Sequence, residues 1–321
     1  MIPRHRTAES PLTRPDEQVH VSSVDGTTLF ASTYGPPDGP TVVLVHGLGL
    51  SLDSWRQVID ELADRHRVVA YDLRGHGRSG HSPAGDYSLE AHAADLAAVL
   101  ATTTGDRPVV PVGHSLGGAV VLAHAQQSLD AIAGVVFAGS TAAVVTAPGL
   151  PARGLPGIAR RGLLRLWLTA LRTGARVARL LRDARRVTDA FARKLVFAPG
   201  DPQTAVDQAR RTFLATDPDV LARTGLASVR ADHSRPARTL TVPALVLRGD
   251  HDKEADTAGV RTLMDRLPEA DLVTLPGKGH MVPLTDGPLV AAHIARFVAH
   301  LGPSRTDVGQ LNPDRCWSPR S

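Results

Sequence analysis

Ser115 stands in the segment Gly113-His114-Ser115-Leu116-Gly117, with the apolar run PVVPV before it and the helix-forming stretch LGGAVVLAHA after it. A serine flanked at one residue's remove by two glycines, at a strand-to-helix junction, has the pattern of a nucleophile elbow. The reason is steric: the serine is held in a strained conformation on a sharp turn, and only residues without a Cβ let neighbouring backbone pass that closely. Gly118 extends this small surface. The bland alternative, a Gly-Ser turn that merely caps a helix, does not account for the strand in front of it.

A serine hydroxyl is a weak nucleophile; it needs a base within reach, and the base needs a third group to orient it. His280, in LPGKGHMVP, follows the last strand-like run of the chain inside a glycine-containing loop that can place an imidazole over the sheet edge. The acid is expected after the strand ALVLR, where the loop GDHDKEAD offers Asp250, Asp252 and Glu254. Acyl transfer also needs donors for the developing oxyanion, worth about 3 to 4 kcal/mol each. The N–H of Leu116, directly after the nucleophile, is one candidate, and the loop after TVVLVHG must supply the other.

These groups are useful only if the elements between them bring them together. HVSSVDGTTLFASTYG reads as a hairpin about Asp25-Gly26, and TVVLVHG as a strand buried on both faces. SWRQVIDELADRH is helical, RVVAYDLRG strand-like, and SLEAHAADLAAVLATTTG helical with Ser88 as its N-cap. PVVPVGHS, LGGAVVLAHAQQ and AIAGVVFAGS continue the strand-helix alternation, which resumes later with ALVLRGD, TAGVRTLMDRL, ADLVTLPG and GPLVAAHIARFVAHL. Such repetition implies a mostly parallel sheet of about eight strands with helices on both faces, an α/β fold. Between residues 146 and 237 the rhythm stops and basic helical sequence takes over, as expected of an inserted helical cap after the sixth strand. The core is then 17–145 and 238–302, with proline-containing tails at 1–16 and 303–321 that read as disordered.

VLVHGLG, YDLRGHGRSG, GHSLGG, LRGDHD and GKGH, in that order, resemble the capped α/β-hydrolase fold family, which includes serine esterases, haloperoxidase-like enzymes and C-C bond hydrolases. The resemblance spans about residues 17–302. It implies the catalytic set Ser115, Asp252 and His280, since the family's acid usually stands three residues after the strand-ending glycine, here Gly249. Asp250 stays within reach of a base in the same loop. The order serine, aspartate, histidine is that of the fold. The resemblance also places the second oxyanion donor at the N–H of Leu48, with His46 and Gly47 shaping that loop, and it reads the polar turn from Asp72 to Ser79 as structural. His76 and His114 lie near the site without an expected proton-transfer role.

Composition bounds the remaining possibilities. The chain has 321 residues, 42% hydrophobic and 21% charged, enough to bury a large core, and no run approaches the length of a membrane span. A cytoplasmic location is the default expectation, and the single cysteine, Cys316, cannot form an internal disulfide. The net charge of +4 comes largely from the insert, where Arg160, Arg161, Arg165, Arg172, Arg176, Arg179, Arg182, Arg185 and Arg186 alternate with Leu163, Leu164, Leu166, Trp167, Leu168, Leu171, Leu180 and Leu181. An amphipathic cap explains this, leucines over the site and arginines in water. Contact with an anionic membrane surface or an acidic carrier partner is the sharper alternative. No nucleic-acid signature accompanies the arginines, no metal or cofactor is implied, and oligomeric state is not legible. The expected function is hydrolysis of an apolar small-molecule carboxylic ester through an acyl-enzyme on Ser115. C-C bond hydrolysis, thioesterase or acyltransferase work are alternatives on the same fold, and a non-enzymatic ligand-binding receptor or scaffold is the alternative from another class.

Overall fold

Five consecutive apolar or β-branched residues, Thr41–Val45, form strand β3, and all five are buried. A strand covered on both faces has no solvent side to alternate with, so its sequence runs apolar without a period of two. β4 (Arg67–Tyr71), β5 (Val109–His114), β6 (Val135–Ala138) and β7 (Ala244–Gly249) follow the same logic. The computed structural model describes residues 13–141, 185–230, 240–265 and 267–302, with isolated positions between 166 and 180.

The sheet has eight strands in the order β1-β2-β4-β3-β5-β6-β7-β8. β1 (Glu17–Ser22) and β2 (Thr28–Tyr34) form the expected hairpin, antiparallel to each other and to β4; every pairing from β4 to β8 (Ala270–Leu275) is parallel. One face carries α2 (Leu89–Thr103) and α3 (Leu116–Ala125), together with a helix at Thr257–Met264, through Leu96, Val120 and Val260. The other carries a short 3₁₀ turn (Leu52–Trp55), α1 (Arg56–Leu62) and the closing helix at Gly287–Leu301 through Trp55, Ile59 and Ile294. Each fully buried side chain of this size contributes about 1.5 to 3 kcal/mol. Ser88 is the N-cap of α2, its hydroxyl accepting from the Ala91 N–H at 3.2 Å.

The differences from the sequence reading are local. The first helix opens as a 3₁₀ turn, and β6 is shorter than AIAGVVFAGS suggests, with Ile132 making only an isolated bridge to Val109. A one-turn helix at Val282–Thr285 precedes the closing helix and was not expected. At the start, Thr13 donates to Asp60 at 2.8 Å and Asp16 to the Thr33 carbonyl at 2.9 Å, ahead of the expected boundary at 17. Residues 1–12 and 303–321, with Cys316, lie outside the described residues.

Between β6 and β7 come α4 (Arg185–Val196), α5 (Gln203–Ala215) and α6 (Pro218–Arg230), after which the Thr257–Met264, Val282–Thr285 and Gly287–Leu301 helices are α7, α8 and α9. Of the expected leucine-in, arginine-out arrangement, the arginine half holds where it can be read, with Arg176, Arg179 and Arg186 exposed, and the leucine half does not. Leu166 and Leu180 are 66% and 82% exposed, whereas Arg172 pairs with Asp219 at 2.7 Å and Arg179 donates to the Leu214 and Ala215 carbonyls. The terminal carbonyls of a helix have no intrahelical partner, and a guanidinium satisfies them. Leu163, Leu164, Trp167, Leu168, Leu171, Leu181, Arg160, Arg161, Arg165 and Arg182 lie outside the described residues.

Candidate active site

β5 ends at His114 and α3 begins at Leu116, leaving Ser115 as the hinge with φ 52° and ψ −117°. A non-glycine residue in that region carries strain of about 1 to 3 kcal/mol and persists only where its surroundings over-determine it. They do. The Ser115 N–H donates to the Ala138 carbonyl at 3.1 Å, and the Ser140 hydroxyl donates to the Ser115 carbonyl at 2.8 Å. A Cβ on Gly113 would overlap the backbone of Gly117 and Gly118, and one on Gly117 would overlap the Val45 carbonyl. Both glycines are therefore obligatory to the turn, and Gly118 is closed off in the same way by Ser140.

His280 and Asp252 meet at the neighbouring strand ends. Nδ1 of His280 lies 3.1 Å from both carboxylate oxygens of Asp252, and both side chains are withdrawn from solvent. Asp252 Oδ1 also accepts the N–H groups of Glu254 and Ala255, at 2.9 and 2.8 Å. Burial pushes the Asp252 carboxyl up, but His280 and these N–H donors outweigh it and hold it below its ordinary value. For His280 burial pulls the pKa down, and the Asp252 carboxylate more than reverses this, leaving it raised. Asp250 is on the surface beside His251 and takes no part in this pair. Glu254 is half-buried nearby, its carboxyl held up mainly by burial, against the opposing pull of His280 and with the push of Asp252.

The loop after β3 passes directly beside the elbow: a Cβ on Gly47 would be 3.2 Å from Ser115 Cβ. His46 is fully buried, and the Leu73 N–H donates to its Nε2 at 3.0 Å, so its Nδ1 carries the proton and donates to the Gly47 carbonyl at 2.8 Å. That carbonyl shares a planar trans peptide with the Leu48 N–H, so pinning the oxygen aims the N–H the opposite way. Asp72, also fully buried, accepts from the Leu52 N–H at 2.7 Å and the Arg78 N–H at 2.8 Å, tying the far end of this loop to the turn after β4. The polar turn thus acts as the structural lock expected of it. The Leu116 N–H begins α3 immediately after Ser115.

The structure also brings in residues that sequence reasoning left aside. Gly139, at the end of β6, lies against His280 and Asp252, where a Cβ would be 3.0 Å from the His280 carbonyl and 3.3 Å from Asp252 Oδ2. The only signal for it is a Gly-Ser pair at a strand end. His114 donates from Nε2 to the His280 carbonyl at 3.0 Å, and the His280 N–H donates to the Val196 carbonyl of α4 at 3.1 Å. Nothing in the local sequence announces either contact. Burial lowers His76 and His114 to about 3, so both rings are neutral near pH 7.

Comparison with known proteins places the chain among relatives. The family described as alpha/beta hydrolase fold matches residues 40–287. A non-heme chloroperoxidase of Streptomyces lividans is 43% identical over 102 residues, 32% of this chain and 36% of that protein. A bifunctional esterase/perhydrolase of Acinetobacter calcoaceticus is 41% identical over 103 residues, 32% of this chain and 37% of that one. The matched stretch thus spans little more than a third of either relative's length. Among solved structures, an esterase from Rhodococcus sp. ECU1013 superposes with a TM-score of 0.72 at 28% identity, covering 89% of this chain and 99% of that one.

Proposed function

The chain belongs to the α/β-hydrolase fold family, and from that premise we propose that it is a serine hydrolase cleaving the carboxylic ester of an apolar small molecule. The observation that carries this reading is the buried Asp252–His280 pair at the strand ends next to the strained Ser115 turn. In the first half-reaction the Ser115 hydroxyl adds to the ester carbonyl while His280 takes its proton. The N–H groups of Leu48 and Leu116 receive the oxyanion, and the imidazolium is stabilised by Asp252, which stays ionised. His280 then returns the proton to the departing alkoxide, leaving an acyl group on Ser115. Water, deprotonated by His280, adds to that acyl-enzyme, and collapse releases the acid and restores the serine.

In this reading residues 146–237 form the cap and supply the apolar substrate wall. Leu50, Phe197, Val206 and Leu284 pack α5 and the end of α4 onto the oxyanion loop and the His280 loop, which supports that placement. A panel of p-nitrophenyl esters of graded acyl length, with thioesters and lactones alongside and Ser115→Ala as control, tests the proposal. The expected result is ester turnover that disappears by several orders of magnitude in the variant, with the fold intact. Ester turnover in Ser115→Ala above a few per cent of the original removes the acyl-enzyme. An added arm with hydrogen peroxide reads whether the acyl group is passed to peroxide instead of water, as the name of the Acinetobacter relative suggests for that protein.

A further inference from the structure

His280 sits in a loop with every reason to be soft. Gly277 and Gly279 flank it on one side, and glycine loses more conformational freedom on folding than any other residue. A general base displaced by about 1 Å costs roughly 100-fold in rate, so something must hold this loop.

Both main-chain groups of His280 are occupied, each by a different part of the molecule. Its carbonyl accepts the Nε2 proton of His114 at 3.0 Å, and its N–H donates to the Val196 carbonyl at 3.1 Å. His114 is the residue before Ser115, so the carbonyl of the base is tied to the strand end that carries the nucleophile. The His114 ring is buried, with the Trp55 ring edge-on at 6.2 Å and the His280 ring at 5.1 Å. Its Nδ1 faces Gly47, 3.0 Å from where a Cβ would be. On the amide side, Gly279 lies flat against the inserted chain, since a Cβ there would come within 2.6 Å of the Ala198 nitrogen. Lys253, next to Asp252, donates to the Lys194 carbonyl at 2.9 Å, so the acid's loop is fastened to the same stretch.

We propose that His280 is held in register with Ser115 by a two-sided main-chain clamp, with His114 as the positioning residue on the carbonyl side and the α4 end at Val196–Ala198 on the amide side. The inference rests on the reading of His280 as general base and adds a condition to it: the base is aligned only while the inserted helices are docked. Burial keeps the His114 ring neutral with a single N–H, and because the His280 carbonyl can only accept, that proton is on Nε2.

The test compares His114→Leu, which cannot donate, with His114→Gln, whose amide N–H reaches the same position, and with Gly279→Ala, which pries the loop from Ala198. Thermal melting confirms that each variant is folded. His114→Leu is expected to lower kcat by about 10- to 100-fold with little change in KM. It should also move the acid limb of the kcat/KM profile to lower pH, because an imidazole that drifts from Asp252 loses the charge that raises it. Asp252, Glu254 and His114 are the titratable groups facing His280, and only its distance to the carboxylates changes. His114→Gln should recover most of the rate and the original limb. Gly279→Ala should lower kcat and speed hydrogen–deuterium exchange at the His280 amide. A folded His114→Leu with unchanged kcat and pH profile overturns the clamp, and so does a folded Gln variant no better than Leu. If His114→Leu does not fold, Gly279→Ala decides, and unchanged rate and exchange there overturn the amide side. A wild-type protein that turns over ester while His280→Ala is equally active would instead sink the general-base reading itself.

Discussion

At the scale of single residues, the proposed chemistry rests on one carboxylate out of three in a short loop. Asp252 is buried against the His280 imidazole, while Asp250, two residues away, faces water beside His251. Asp252→Asn is therefore expected to lower kcat by up to about 10⁴-fold, since the amide neither fixes the tautomer nor stabilises the imidazolium. Asp250→Asn should keep most activity, an exposed charge contributing about 1 kcal/mol or less. Steady-state kinetics of the two variants settles the ranking, and the reverse order would move the acid to Asp250. The pH dependence follows from the same contact. As the proposed base, His280 must be neutral to accept the Ser115 proton, and its pKa stands above the ordinary 6.5. Activity should accordingly be lost as pH falls through a midpoint above 6.5, and Asp252→Asn, with only the smaller pull of Glu254 left to oppose burial, should show its residual limb at lower pH. A wild-type midpoint below 6.5 would contradict the ion-pair assignment.

At the scale of elements, the elbow is the junction that cannot be softened. β5 and α3 meet at a turn where the Gly117 Cα faces the Val45 carbonyl of the adjacent strand. Gly117→Ala must push α3 away from β3 or break the turn, and should leave little folded, active protein. A soluble Gly117→Ala with wild-type melting temperature would show that the junction has slack that the contact denies. The Ser88 cap is the opposite case. Ser88→Ala removes one acceptor at the start of α2, outside the Ser115, Asp252 and His280 contacts, and should cost about 1 kcal/mol in chemical denaturation with kcat unaltered.

At the scale of the whole molecule, the antiparallel edge is fastened to the parallel core by one buried charge cluster. Arg74 is 1% exposed and makes a bidentate contact with Asp95 at 2.6 Å, while its other nitrogen meets Asp25 at 2.9 Å and the Asp86 carbonyl at 2.9 Å. Hairpin, post-β4 turn and α2 are thereby joined through a single guanidinium. Asp95→Asn leaves the buried guanidinium with the partly exposed Asp25 as its remaining carboxylate, so it should destabilise by up to about 3 kcal/mol. Urea unfolding reads this as a lower midpoint at constant slope, and a loss under about 1 kcal/mol would mean that water reaches the cluster.

What the sequence determined by itself is what local chain chemistry encodes. The buried runs of β3 to β7, the hairpin at Asp25-Gly26, the Ser88 cap and the Ser115 elbow each depend on residues within one or two turns of each other, and each appears where its residues place it. The same holds for the order of strand ends that presents Ser115, Asp252 and His280 to one region. Tertiary structure decided what depends on separations of tens to hundreds of residues. That Asp252 and not Asp250 turns inward is set by the Glu254 and Ala255 amides and by His280 across the loop; the loop residues by themselves leave both aspartates in reach, and only the family resemblance points to Asp252. The Arg172 and Arg179 side chains turn to Asp219 and the end of α5 while Leu166 and Leu180 stay exposed, because a helical period says which residues share a face but not what that face meets. His114 and Val196 hold the main chain of His280 from two sides through hydrogen bonds that span 166 residues in one case and reach the end of α4 in the other, and backbone acceptors leave no mark on residue type.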